Sequence, residues 1–195
     1  ILTVLGIVIG VAAVIAMATV GQGSSDQVTQ DVEKLGTNVL MVLPGAGQMG
    51  PGNNSISAAL ESADVEALID QLASVRTGAP YNQTTLNAVY GTEDTRTSVA
   101  GTDARYFDVV DWLVVLGRGF LPAEERSGKA VCIIGETVRQ ELFGNTDPVG
   151  ETIRLKNVSC DVIGLLEAKG ASSFGTDQDD IVMMPIKAFQ RRITG

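Results

Sequence analysis

The sequence predicts an α+β fold carried on an N-terminal transmembrane helix. Three observations carry this: an unbroken apolar run over Ile1–Val20, a succession of short β-rich runs after it, and only occasional amphipathic stretches between them. The 195 residues are enough for one domain of ordinary size or two small ones, with a real core. The chain begins with Ile rather than Met and is read as part of something longer.

The run ILTVLGIVIGVAAVIAMATV has only Thr3 and Thr19 as polar side chains. Twenty helical residues span about 30 Å, the thickness of a hydrocarbon core. A backbone in lipid must satisfy its own hydrogen bonds, which selects a helix. A secretory signal would need a basic start, and a buried soluble helix would show a polar stripe; neither is present in this run. Gly6, Gly10 and Ala13 lie on nearly one face, where a second helix can approach closely. Ser24–Lys34 is polar, with Val28, Val32 and Leu35 at helical spacing, and predicts an amphipathic stalk that stops at Gly36.

Thr37–Leu43 (TNVLMVL), ended by Pro44-Gly45, predicts a buried strand. Pro44–Ser57 is rich in Gly, Asn and Ser and predicts a loop. Ser62 is a candidate N-cap for an amphipathic helix over 63–72, with Val65, Leu68, Ile69 and Leu72 as its apolar face. If 75–81 is extended, a strand-helix-strand unit results. Thr84–Tyr90 and Arg96–Ala100 predict a hairpin turning at Gly91–Asp94. A short helix is expected over 103–110, and strands over 131–134, 152–155, 161–166 and 181–184. One helix over 136–143, ended by Gly144, interrupts the strands. Gly170–Asp180 is the most loop-like stretch.

The balance of 23 Asp+Glu against 14 Lys+Arg repels phosphate backbones, so nucleic acid is not an expected partner. There is no His, which removes the commonest neutral-pH base and metal ligand. Gly45-Ala46-Gly47-Gln48-Met49-Gly50 has dinucleotide-loop spacing, but Pro51-Gly52 follows where a helix must open. Gly128-Lys129-Ala130 lacks the hydroxyl residue of a P-loop. Ser127 with Lys129, the pair Asp103/Asp108 and the group Asp177/Asp179/Asp180 read better as solvated surface than as nucleophile, acid–base or Ca²⁺ sites. Cys132 and Cys160 either pair, if the chain lies outside the cytoplasm, or sit as two small buried hydrophobes; the second reading is favoured.

LTVLGIVIGVAAVIAMATVGQG followed by LGTNVLMVLPG resembles the first membrane helix and entry strand of MacB-type ABC-transporter permeases. Gly101-Thr102-Asp103 with Tyr106-Phe107, Gly117-Arg118-Gly119-Phe120, VCIIG, RQELFG, Asp147-Pro148-Val149-Gly150-Glu151 and Val162-Ile163-Gly164 continue that resemblance in order. It implies residues 1–35 as membrane helix and stalk, 36–101 as the first part of a Porter-like α/β subdomain, and 102–195 as an inserted β-rich Sabre-like subdomain. It further implies an inner-membrane protein with residues after about 21 extracytoplasmic, in contact with membrane lipid. Implied partners are an ABC ATPase domain or subunit, a second permease as homodimer or heterodimer, and in some members a periplasmic adaptor. No catalytic, cofactor or metal residue carries over, and ATP with Mg would be used by the ATPase part. The expected role is to couple ATP-driven motion to export or extraction of a substrate. The alternative is a membrane-anchored interaction or sensor module without transport.

Overall fold

The computed structural model describes Met17 and residues 39–43, 60, 62–172 and 175–195. The chain divides into two compact units, Ile1–Asn38 and Val39–Gly195. In the first only Met17 is described, and it is helical. Apart from it, the run Ile1–Val20, its Gly6/Gly10/Ala13 face and the Val28/Val32/Leu35 stalk lie outside the described residues. Among the described residues no helix is long and apolar enough to cross a membrane.

The second unit contains helix α1 (Ser62–Gln71), strands β1 (Asn82–Tyr90) and β2 (Glu93–Thr102), helix α2 (Arg105–Val109), strand β3 (Val114–Gly117) and helix α3 (Pro122–Ser127). Then come β4 (Val131–Ile134), α4 (Glu136–Phe143), β5 (Thr152–Leu155), β6 (Val158–Leu166), β7 (Ile181–Pro185), α5 (Ile186–Phe189) and a π-helical turn, Gln190–Thr194. The seven strands are ordered β3-β6-β4-β7-β2-β1-β5, and β5 pairs with β6 as well. Hydrogen bonding therefore runs through β6-β4-β7-β2-β1-β5 and back to β6, closing six strands into a ring that leaves β3 outside it on β6. Closure removes the unpaired edges that an open sheet would present. One sheet thus takes strands from both sides of residue 101.

Alternate residues of these strands feed two cores. Ala88, Val99, Ile134, Ile153, Val162 and Val182, one from each ring strand, belong to a single buried cluster. Helices α4 and α5 add Val138, Leu142, Phe143 and Phe189 to it. The neighbouring residues Ala100, Ile133 and Met183 turn to the opposite face, where Phe107, Trp112 and Phe120 cover them. Strands β4 and β7 are buried at every position for this reason, which explains why VCII and IVMMP read as continuous apolar runs. Full burial of each such side chain contributes about 1.5–3 kcal/mol.

Two glycines are required by close approach. A Cβ on Gly101 would sit 2.5 Å from the Cβ of Phe189, so Gly101 lets α5 dock on β2. Gly117 has φ of +77°, and a Cβ there would meet the Ile163 carbonyl oxygen at 2.2 Å.

Helix α4 spans the residues expected of it and ends at Gly144. The hairpin turns at Gly91-Thr92 with Tyr90 opposite Glu93. The expected strand at Thr37–Leu43 is corrected in its described part: residues 39–43 are in no strand, and Leu40 is 86 % exposed. Residues 75–81 are in no strand either, so the expected strand-helix-strand unit does not form. No described strand pairs with residues 39–43, and β propensity without a partner makes no ladder. Helix α1 has no fully buried residue; Val65 and Ile69 are half-buried, and Leu68 is exposed. The favoured reading of the cysteines is also corrected. Cys132 and Cys160 form a disulfide with a Cα–Cα distance of 5.8 Å, because the adjacent parallel strands β4 and β6 present them to the same cluster.

Candidate interaction surface

Of the residues tested for chemistry in the sequence, Asp103, Ser127, Asp177 and Asp179 are committed to holding the fold, whereas Asp108 is exposed and Asp180 Oδ1 is buried with no hydrogen-bond partner among the described residues. Asp103 accepts from the Arg105 backbone N–H at 3.0 Å and from its guanidinium at 3.0 and 2.7 Å. Arg105 also reaches Glu66 at 2.9 Å, tying α1 to α2. Asp177 accepts from the Thr137 hydroxyl at 2.7 Å and from the Asp179 N–H at 2.9 Å. Asp179 is buried and accepts from the N–H groups of Lys169 and Gly170 at 2.8 and 2.9 Å, fixing the mouth of the loop after β6. Ser127 donates to the Glu124 carbonyl at 3.2 Å rather than to a base. Among the described residues no group of His, Cys, Asp and Glu is arranged to hold a metal ion.

A bidentate ion pair with a buried carboxylate begins in the Gly117-Arg118-Gly119-Phe120 motif. Arg118 gives both terminal nitrogens to Glu124, at 2.8 and 2.9 Å, and Glu124 also accepts the Leu121 N–H at 3.2 Å. This is the carboxylate half of a capping box; Leu121 has no side-chain acceptor for the other half. Lys129 adds a charge at 3.6 Å. The hydrogen bonds from Arg118 hold the Glu124 carboxyl at a pKa of about 2, against the opposing effect of burial. The pair orders the turn between β3 and α3. A second latch holds the outer core: Trp112 Nε1–H donates to the Glu167 carbonyl at 2.7 Å. Lys169 donates to the Val110 carbonyl at 2.8 Å and lies 5.0 Å from the centre of the Trp112 ring. Burial lowers the Lys169 pKa.

These latches hold β3 in place while leaving its outer side open. Among the described residues strand β3 pairs with β6 alone, and Leu113, Val115 and Leu116 are 60 %, 57 % and 40 % exposed. Leu121, just before α3, is exposed as well. Residues 113–117 carry no titratable side chain. An edge with free backbone groups and apolar side chains is suited to adding a strand from another chain. The run Leu113-Val114-Val115-Leu116 ended by Gly117 carried the strand signal in the sequence, but the reading above assigned it no element. The packing residues Gly6, Gly10 and Ala13 and the stalk residues Val28, Val32 and Leu35 lie outside the described residues.

Known proteins are similar to this chain in sequence and in fold. The chain is 40 % identical over 196 residues to the macrolide export ATP-binding/permease protein MacB of Rhodospirillum rubrum, covering all of this chain and 30 % of that protein. It is 37 % identical over 195 residues to the pyoverdine export ATP-binding/permease protein PvdT of Pseudomonas savastanoi pv. phaseolicola, covering 29 % of that protein. The chain therefore spans about 30 % of the length of these curated relatives. The periplasmic region of MacB from Actinobacillus actinomycetemcomitans superposes with a TM-score of 0.66 at 21 % identity, covering 84 % of this chain and 72 % of that one. The extracellular domain of the noncanonic ABC-type transporter YknZ from Gram-positive bacteria superposes with a TM-score of 0.60 at 24 % identity, covering 70 % and 67 %. Those two similarities concern the fold. All of residues 1–195 match the family described as the MacB-like periplasmic core domain, and the chain belongs to that family.

Proposed function

We propose that this chain is the first membrane helix and extracytoplasmic core of an ABC-type export permease, and that it transmits ATP-driven movement to the outside of the inner membrane. The observation that carries this reading is the match of the whole chain to the MacB-like periplasmic core domain. The names of the relatives join an ATP-binding part and a permease in one protein, so the ATPase is assigned to a separate domain or subunit. Macrolides and pyoverdine are the first cargoes to test. The apolar run Ile1–Val20 crosses the membrane, and Ser24–Lys34 links it rigidly to the core as a stalk. Residues 36–101 and 102–195 correspond to the Porter-like and Sabre-like parts. The working unit is a permease dimer, with a periplasmic adaptor as a further partner.

The test is Thr29→Pro in the full-length protein. Proline removes a helical hydrogen bond and costs about 3 kcal/mol locally. Expected are normal membrane abundance and ATP hydrolysis with export lost. Full export in this variant refutes transmission through the stalk. The open β3 edge favours a second reading, an anchored interaction module without transport. Cells that gain no macrolide or pyoverdine efflux from the intact protein, yet retain a partner that binds at β3, would favour it.

A further inference from the structure

We propose that Cys132 and Cys160 are a modification site, a dithiol that a disulfide-bearing oxidant outside the cytoplasm closes during folding and that the finished ring then shields from reduction. This rests on the extracytoplasmic placement given above. The two cysteines are the only ones in the chain, and they are bonded to each other. Both are 0 % exposed. They belong to the cluster inside the strand ring, with Val138 and Leu142 of α4 in the same cluster. Their strands are direct neighbours, Val131 opposite Asp161 and Cys132 opposite Val162. Nothing polar is gained by keeping two thiols there, whereas a bridge fixes β4 to β6 over a sequence separation of 28 that contains α4 and β5.

The chemistry is thiol–disulfide exchange. One cysteine, as its thiolate, attacks a disulfide of the oxidant and forms a mixed disulfide, expelling the oxidant's other sulfur as a thiolate. The second cysteine thiolate then attacks the mixed disulfide at the protein sulfur. The internal S–S bond forms and the mixed bond breaks. Two protons leave the cysteines, and two electrons reduce the oxidant to its dithiol. Each attack needs direct access to a sulfur, so the exchange must precede closure of the ring. Once the ring has closed, neither an oxidant nor a thiol reductant reaches a fully buried sulfur.

The experiment counts thiols in the full-length protein. Cells are quenched in acid, the protein is denatured with a maleimide and digested, and the masses of the peptides that carry Cys132 and Cys160 are measured. No adduct before reduction and two after it are expected; two adducts before reduction overturn the proposal. In that case purified reduced protein is refolded with oxidised glutathione. Bridge formation there assigns the failure to the extracytoplasmic placement, and no bridge assigns it to the cysteine pair. Shielding is read separately by treating the native protein with dithiothreitol at neutral pH. Thiols should appear at least 100-fold more slowly than in denaturant. Equal rates overturn the shielded lock.

Discussion

The cluster inside the strand ring and the aromatic cluster on its outer face are built on the same strands, yet they are held together differently. The inner cluster is made of apolar side chains and one disulfide, contributed by all six ring strands. The outer cluster takes Phe107, Trp112 and Phe120 from the segments around α2 and β3, which polar latches hold against the sheet: Arg118 on Glu124, Trp112 on Glu167 and Lys169 on Val110. Strand alternation creates most of the first, with α4 and α5 adding to it. The second needs each connecting segment to find one partner far along the chain, and it leaves β3 as an open edge. Stability should therefore concentrate inside the ring, and adjustability outside it.

The largest break in this comparison is Phe189→Ala. Phe189 is fully buried against Gly101, and its truncation should cost about 3–5 kcal/mol in urea unfolding. A loss under 1 kcal/mol would show that α5 is not part of the core. Arg118→Ala should cost about 2 kcal/mol, since it strands the buried Glu124 carboxylate. The single Trp, Trp112, reports on this unfolding by fluorescence.

Acid should act through the same pair. The folded-state pKa of Glu124 is depressed to about 2, so its contribution is complete above the ordinary carboxylate range and is lost as pH falls from there toward 2. Stability of the Glu124→Gln variant should fall less than that of the parent across this window; parallel curves would remove Glu124 as the source. Lys169→Met deletes the bond to Val110 and the cation over Trp112, and should cost about 1 kcal/mol with a shift in Trp112 emission. Val115→Ser, on the open face of β3, should change stability by no more than about 0.5 kcal/mol. A larger loss would mean that β3 is buried in the isolated protein.

Locally encoded elements were legible in the chain itself. Helix α4 is set by its apolar spacing and by Gly144 at its end; the β1–β2 hairpin is set by Gly91 between two β-rich runs; and strands β4, β5 and β7 each begin at the first residue expected of them. The match of the whole chain to a periplasmic core family was legible too, because many short motifs keep one order. Tertiary structure alone decided what depends on distant pairing. Whether Val114–Gly117 is a strand depends on β6, some fifty residues later, and helix α3 is too short to show a period. Residues 39–43 have the composition of a strand but no described partner, so they form none. The cysteines could not be paired from spacing, since they lie 28 positions apart, and only the register of β4 on β6 brings their Cα atoms to 5.8 Å. Period and turn chemistry act over a few residues, whereas ring closure is a choice among strand orders, settled by which arrangement buries both faces of β4 and β7 at once.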